Sequence, residues 1–314
     1  HLHSYPTRRS SDLTDLIGKT PIVDVSSYFE GLTARLLVKV ESFNPGGSVK
    51  DRIAFAMINK AMQEGLIDAD TQIIEPSSGN TGVGLAMVCA ALGLKLTIIM
   101  PETMTVERRM LIKAYGAQLE LTPGPMGMKG SIARANELAK QYPNSFIPMQ
   151  FENMANPEVH RRTTAQEILA DTQGNVDIFI SGVGTGGTIS GISSVLKEVN
   201  PNLKVIAVEP TKSPVLSGGQ PGPHKIYGIG AGFVPNTLDT SAYDQIITVY
   251  DDLAFETTRL LAKKTGILAG ISSGGAFAVA LDQARLPENQ GKTVLTLLPD
   301  TGERYLSSGV FEGE

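Results

Sequence analysis

The residues best placed to do chemistry begin with a lysine behind a glycine pair, in Pro45-Gly46-Gly47-Ser48-Val49-Lys50-Asp51. Paired glycines make a backbone kink cheaply. Ser48 and Asp51 have the Ser-x-x-Asp spacing of a helix-capping pair. The apolar residues that follow, Ile53, Met57, Ile58, Ala61 and Met62, recur at helical intervals. Lys50 is therefore expected in the first turn of a helix, where the dipole disfavours an ammonium ion and partial burial lowers its pKa. A lysine held partly neutral is a nucleophilic amine, of the kind that forms a Schiff base with a carbonyl. Taken alone, the motif also suits a surface lysine after a loop, so other stretches must decide.

Three more loops carry polar groups. Ser181-Gly-Val-Gly-Thr-Gly-Gly-Thr188 follows an apolar run and opens a helix, so its backbone N–H groups suit a phosphate. Gly182, Gly184 and Gly187 also satisfy G-x-G-x-x-G, and Glu209 ends the next strand about 20 residues on. That keeps a nicotinamide-dependent oxidoreductase open as a rival. No Walker-type loop is present, because Gly18-Lys19-Thr20 and Gly291-Lys292-Thr293 have Leu13 and Leu286 where the leading glycine belongs. Ser77-Ser78-Gly79-Asn80-Thr81 gathers hydroxyls and a carboxamide at a helix start, a neutral donor set that suits a carboxylate or simply caps the helix. Gly270-Ile-Ser-Ser-Gly-Gly275 opens a further helix and reads equally well as a cap with small residues for close packing.

The elements that must position these loops alternate along the chain. Apolar strands are expected at Leu36 to Val40, Gln72 to Glu75, Leu96 to Met100 and Gln118 to Leu121. A second series lies at Asp177 to Ile180, Lys204 to Val208, Gln245 to Val249 and Thr293 to Leu298. Helices are expected from Lys50 to near Gly65, after Gly84, around Val106 to Tyr115, before Tyr142, after Thr188, at Ala254 to Lys264 and at Gly275 to Ala284. A long Gly/Pro loop fills Pro210 to Asn236. Strands apolar throughout and alternating with helices predict an α/β fold, two mainly parallel twisted sheets flanked by helices. Ligands of such sheets bind beyond the C-terminal strand ends, here in a crevice between the two halves.

Bulk properties exclude several classes. The 314 residues are 41% hydrophobic and 19% charged, ordinary for a globular protein and long enough for two domains. A net charge of −5 with no basic cluster argues against nucleic acid and against an anionic membrane surface. No apolar run reaches the ~18 residues of a membrane span. Cys89 is the one cysteine, read as a small core residue in a reducing compartment, the cytoplasm. His1, His3, His160 and His224 are scattered without ligand spacing, so no metal site is expected. Residues 1–13 are polar and aperiodic, and Ser-Tyr-Pro-Thr-Arg-Arg-Ser-Ser-Asp-Leu resembles a reading frame of a common sequencing-library adapter. We read them as a foreign leader and leave them out of the fold.

Six stretches together carry a resemblance. Asn44-Pro-Gly-Gly-Ser-Val-Lys-Asp-Arg52, Glu75-Pro-Ser-Ser-Gly-Asn-Thr-Gly82, Gly182-Val-Gly-Thr-Gly-Gly-Thr188, Gly228-Ile-Gly-Ala-Gly-Phe233, Gly270-Ile-Ser-Ser-Gly274 and Gly302-Glu-Arg-Tyr-Leu306 resemble the cysteine synthase (O-acetylserine sulfhydrylase) family. That family lies within the β-family, fold type II, of pyridoxal-phosphate enzymes. Met100 to Arg109 and Pro221 to Ile226 look more like cysteine synthases than like the related cystathionine β-synthases. Met154 departs from the pattern, standing where the family usually has proline. The resemblance implies that Lys50 holds pyridoxal 5'-phosphate as a Schiff base. It implies further that Asn80 meets the ring hydroxyl oxygen, that Gly184, Thr185, Gly186, Gly187 and Thr188 hold the phosphate, and that Ser272 meets the pyridine nitrogen. Ser77, Ser78, Thr81 and Gln150 would grip the substrate α-carboxylate, with Gly228 lining the pocket. The implied reaction replaces the acetoxy group of O-acetylserine by sulfide through an aminoacrylate. Cystathionine β-synthase or an O-phosphoserine-dependent synthase is the alternative. By the same resemblance we expect a large domain of residues 14–43 and 152–314 and a small, mobile one of 44–151. A homodimer is also expected, with a pocket mouth that accepts the C-terminal tail of serine acetyltransferase.

Overall fold

The computed structural model describes residues 10–77 and 79–312. Most of the leader read from the sequence, and Ser78, therefore lie outside the described residues. The chain opens with a hairpin-like pair, β1 (Ile22–Asp24) and β2 (Arg35–Val40), and then enters helix α1 (Lys50–Gln63). Strand β3 (Gln72–Pro76), helix α2 (Asn80–Leu92), β4 (Lys95–Pro101), α3 (Val106–Ala114), β5 (Gln118–Thr122), α4 (Gly127–Ala139) and the short β6 (Ser145–Phe146) follow. Helices α5 (Ala155–Val159) and α6 (Ala165–Thr172) are joined by a π-helical turn, His160–Thr164. Then come β7 (Ile178–Gly182), α7 (Gly187–Val199), β8 (Lys204–Pro210), β9 (Gln245–Val249), α8 (Asp251–Thr265), α9 (Ile271–Arg285) and β10 (Thr293–Leu298).

Two sheets result. One runs β1-β2-β10-β7-β8-β9, parallel except for β1, and the other runs β5-β4-β3-β6, parallel throughout. The large sheet is covered on both faces, which is why its strands are apolar in succession rather than alternately. Leu36, Val38 and Val40 pack with Phe277 and Ile180 on one side, while Leu37 packs with Phe179 and Ile189 on the other. The smaller sheet packs against α1 and α2 through Ile58, Ile73, Val83 and Ile98. Cys89 sits in that cluster, and burial pushes its thiol up to about 12. Among the described residues no helix is long and apolar enough to cross a membrane.

Helix α2 starts at Asn80 rather than after Gly84, β1 and β6 add strands to those expected, and three further details differ. The capping pair at α1 is rearranged: Ser48 Oγ accepts the Lys50 N–H at 3.2 Å, and the Asp51 carboxylate reaches back to the Gly46 N–H at 2.6 Å. Asp51 therefore braces the glycine turn itself rather than the helix start. Helix α9 begins at Ile271, four residues before the expected start, because its small residues let it lie against α8. A Cβ on Gly274 would strike the Ala254 carbonyl and Thr258 of α8, so glycine here is needed for contact, not for a loop. The helical stretch 155–172 has no counterpart among the helices the sequence predicts. Pro157 and the polar run His160-Arg-Arg-Thr-Thr hide it, yet a proline in the first turn is tolerated.

Candidate active site

The Lys50 loop docks on the end of the large sheet. Val49 N–H donates to the Pro299 carbonyl at 2.8 Å, and Ser48 bridges Asp300. Gly47 adopts φ +79°, with the Arg304 guanidinium 3.0 Å from where a Cβ would stand. Arg304 also donates to the Gly46 carbonyl. Lys50 then opens α1 with its side chain lining a cavity of about 320 Å³. Burial pushes its amine down to about 8, and the Asp300 carboxylate pulls the other way. Asp300 in turn accepts from Tyr305 OH at 2.5 Å and from Asn80 Nδ2 at 2.7 Å. Asn80 Oδ1 takes the Arg304 guanidinium at 2.6 Å, so that carboxamide is already oriented.

The hydroxyl cluster stands at the end of β3. Ser77 Oγ accepts the Gly82 N–H at 3.0 Å, so the capping reading holds for its oxygen while its hydroxyl proton stays free to donate. Thr81 Oγ1 donates to Gln150 Oε1 at 2.6 Å. Glu75 lies just before the cluster and is buried, and its carboxylate takes the Met149 N–H at 3.2 Å. Burial pushes that carboxyl up to about 8 against the Met149 and Gln150 N–H groups. Met149 is held at φ +59°, a left-handed turn that sets the direction of Gln150. Met154, a few residues on, keeps φ −67°, a value proline would adopt, so the departure at this position leaves the backbone path intact.

The glycine loop runs from β7 into α7. Gly186 has φ +83°, and a Cβ on Gly184 would collide with the Gly228 carbonyl oxygen. A Cβ on Gly187 would collide with Asn156, so backbone N–H groups rather than side chains form the floor. Asn156 donates to Thr185 Oγ1 at 2.9 Å, and Thr237 Oγ1 donates to the Thr185 carbonyl at 2.6 Å. His160 Nε2 lies 3.2 Å from Thr188 Oγ1. Burial, then the Arg52 and Lys50 charges, hold that imidazole well below its usual range, so it is a neutral partner.

Lys50, Ser77, Asn80, Thr81 and Gln150 therefore share one cavity with Gly184, Thr185, Gly186, Thr188, Gly228 and Ser272. Gly187 stands behind the wall at the start of α7, and Ser78 lies outside the described residues. Sequence reasoning missed Asn156, His160, Asp300 and Tyr305, which reach the site from distant segments. Glu209, the residue that kept the nicotinamide reading open, is turned away. It takes the Leu216 and Ser217 N–H groups at 2.8 and 2.9 Å and braces the Gly/Pro loop. An anion cradle without side chains, a partly neutral lysine and a neutral hydroxyl around one cavity fit a phosphorylated aromatic aldehyde.

Comparison with known proteins points the same way. The family model described as "Pyridoxal-phosphate dependent enzyme" matches residues 13–300. A cysteine synthase of Staphylococcus aureus is 55% identical over 301 residues, 96% of each chain. The crystal structure of an Entamoeba histolytica cysteine synthase superposes with a TM-score of 0.95 at 42% identity, covering 100% of this chain and 94% of that one. A hydrogen sulfide-producing enzyme of Fusobacterium nucleatum superposes at 0.91 with 48% identity, covering 95% of this chain and 100% of the other. With the match running from the first turn to the Asp300 that faces Lys50, the chain belongs to the pyridoxal-phosphate-dependent enzymes, in the fold type II arrangement of two sheets.

Proposed function

We propose that this enzyme is a cysteine synthase, replacing the acetoxy group of O-acetyl-L-serine by sulfide to give L-cysteine and acetate. The observation that carries the reading is the shared cavity, in which a lysine amine near neutrality faces both the glycine cradle and the Ser77, Thr81 and Gln150 cluster. High identity with cysteine synthases supports the choice within the family. Bound pyridoxal phosphate supplies an electron sink for the pair left when the α-proton departs. Lys50, Asn80, Gly184, Thr185, Gly186, Gly187, Thr188 and Ser272 would hold it.

The chain's own residues do the rest. Ser77, Ser78, Thr81 and Gln150 would grip the substrate carboxylate with neutral donors, and Gly228 would line the pocket without a side chain. The Lys50 amine, about half deprotonated at pH 8, would take the α-proton and give it back to the same carbon once the C–S bond has formed. Ser272 offers the ring nitrogen a hydroxyl and no negative charge, so it does not enforce protonation there. Acetate leaves with the bonding pair of the C–O bond, and hydrosulfide brings the pair for the new C–S bond. Residues 44–151 would move as a small domain against 14–43 and 152–314, closing on the carboxylate and excluding water. The proposal extends to a cytoplasmic homodimer whose cavity mouth accepts the C-terminal tail of serine acetyltransferase. A peptide ending in isoleucine that fails to compete with O-acetylserine would count against that last part.

Absorbance of the holoenzyme tests the main reading. O-acetylserine should remove the lysine-linked visible band and sulfide should restore it with release of L-cysteine. No L-cysteine from this pair of substrates overturns it.

A further inference from the structure

The cavity holds a second cation that the proposed reaction has not used. Arg108, on α3, is only 2% exposed and lines the same cavity as Lys50. Its guanidinium lies 5.0 Å from the centre of the Tyr305 ring and 5.5 Å from that of Tyr227, and the two rings stack 6.4 Å apart. Aromatic faces stabilise a cation, but they do not take its five in-plane N–H donors. Among the described residues Arg108 has no carboxylate partner and no hydrogen bond, and its Nε is buried without an acceptor.

The nearby groups are already committed. Glu107, its neighbour on α3, accepts the Ser307 N–H and Oγ at 2.9 and 2.8 Å. Asp300 takes Tyr305 and Asn80 on Oδ2, while its Oδ1, buried against Gly270, makes no ion pair with Arg108. Arg109, next in sequence, also leaves its Nε without an acceptor, but its Nη2 donates to the Glu102 and Met104 carbonyls, whereas no nitrogen of the Arg108 guanidinium finds an acceptor among the described residues. A guanidinium stays charged at any working pH, and leaving it buried and unpaired is costly. Tyr227 adjoins Gly228, which packs against both Gly184 and Ser272, so this charge borders the cofactor side of the cavity.

We propose that Arg108 is an anion subsite of the cavity, taking the small monoanion that enters or leaves in the replacement reaction. This rests on the cysteine synthase reading, in which both exchanged groups are small monoanions, hydrosulfide arriving and acetate departing. The substrate α-carboxylate is assigned to the neutral cluster of Ser77, Thr81 and Gln150, so Arg108 adds a second anion site to the same cavity.

Arg108→Lys and Arg108→Gln holoenzymes test it, with the visible band and circular dichroism confirming loading and fold. The KM for sulfide should rise by about tenfold or more in Arg108→Gln, as expected for a lost charge-assisted hydrogen bond. The rise should be smaller in Arg108→Lys, and half-saturation by O-acetylserine in the first half-reaction should be unchanged. Slower return of the band on adding sulfide assigns hydrosulfide. Weaker product inhibition by acetate assigns the departing carboxylate. Should Arg108→Gln fail to fold, Arg108→Lys and nitrate inhibition of the wild type carry the test, nitrate being expected to compete with sulfide. Unchanged sulfide and acetate constants, a change confined to O-acetylserine, or nitrate that does not compete with sulfide each overturn the proposal. A wild type that makes no L-cysteine fails the parent reading instead.

Discussion

Two cations sit two residues apart on α1 and are treated in opposite ways. Arg52 is 1% exposed and faces carboxylates on both sides, bonding Glu41 at 2.7 and 2.9 Å and Glu167 at 2.8 Å. Lys39 joins the cluster 2.9 Å from Glu167. Burial alone would raise the Glu167 carboxyl, but Arg52 and Lys39 bring it down to about 2. Lys50 has no such partner, and burial shifts its amine toward neutrality. A buried charge with full partners ties α1 to the large sheet. A charge left without them is available for chemistry.

Experiments can break that contrast. The largest effect is expected for Lys50→Met, which should lower turnover by at least about 10³-fold while leaving stability unchanged or higher in the cofactor-free protein. A loss of stability there would erase the distinction. Arg52→Met leaves Glu41 without its ion-pair partner and Glu167 with Lys39 alone, and should cost about 3–5 kcal/mol in urea unfolding.

Glu75→Gln sharpens the contrast with an acid. The folded pKa of Glu75 lies near 8, above the ordinary 4.5, so wild-type stability is held at low pH and falls as pH rises between those values. The variant should show a flatter stability profile over that window in pH-stepped denaturation. Smallest is the pH effect on cofactor uptake. The rate at which apoprotein gains the visible band should rise by about tenfold from pH 7 to pH 9, following the neutral fraction of an amine titrating near 8. A flat profile would show the amine to be paired after all.

What could be read from the sequence follows from how locally each signal is encoded. The glycine turn at 46–47, the cradle at 184–188 and Ser272 announce themselves within a few residues, because a tight turn needs glycine and a helix start needs small polar groups. The alternating strands were equally plain, since a doubly covered sheet demands apolar runs. Asn156, His160 and Asp300 carry no comparable local mark. They act through partners far along the chain, Asn156 on Thr185 and Asp300 on Asn80, and only folding brings them together. Arg108 lies within Met100 to Arg109 with nothing local to mark it off from Arg109, and only the fold brings the Tyr227 and Tyr305 rings to its guanidinium.

The deep placement of Cys89 matters for an enzyme proposed to handle sulfide and release a thiol. With its sulfur held in the protonated form at physiological pH, this chain presents no thiolate to attack cystine or to be attacked by polysulfides. The catalyst can work in a bath of its own reactive product without becoming cross-linked to it.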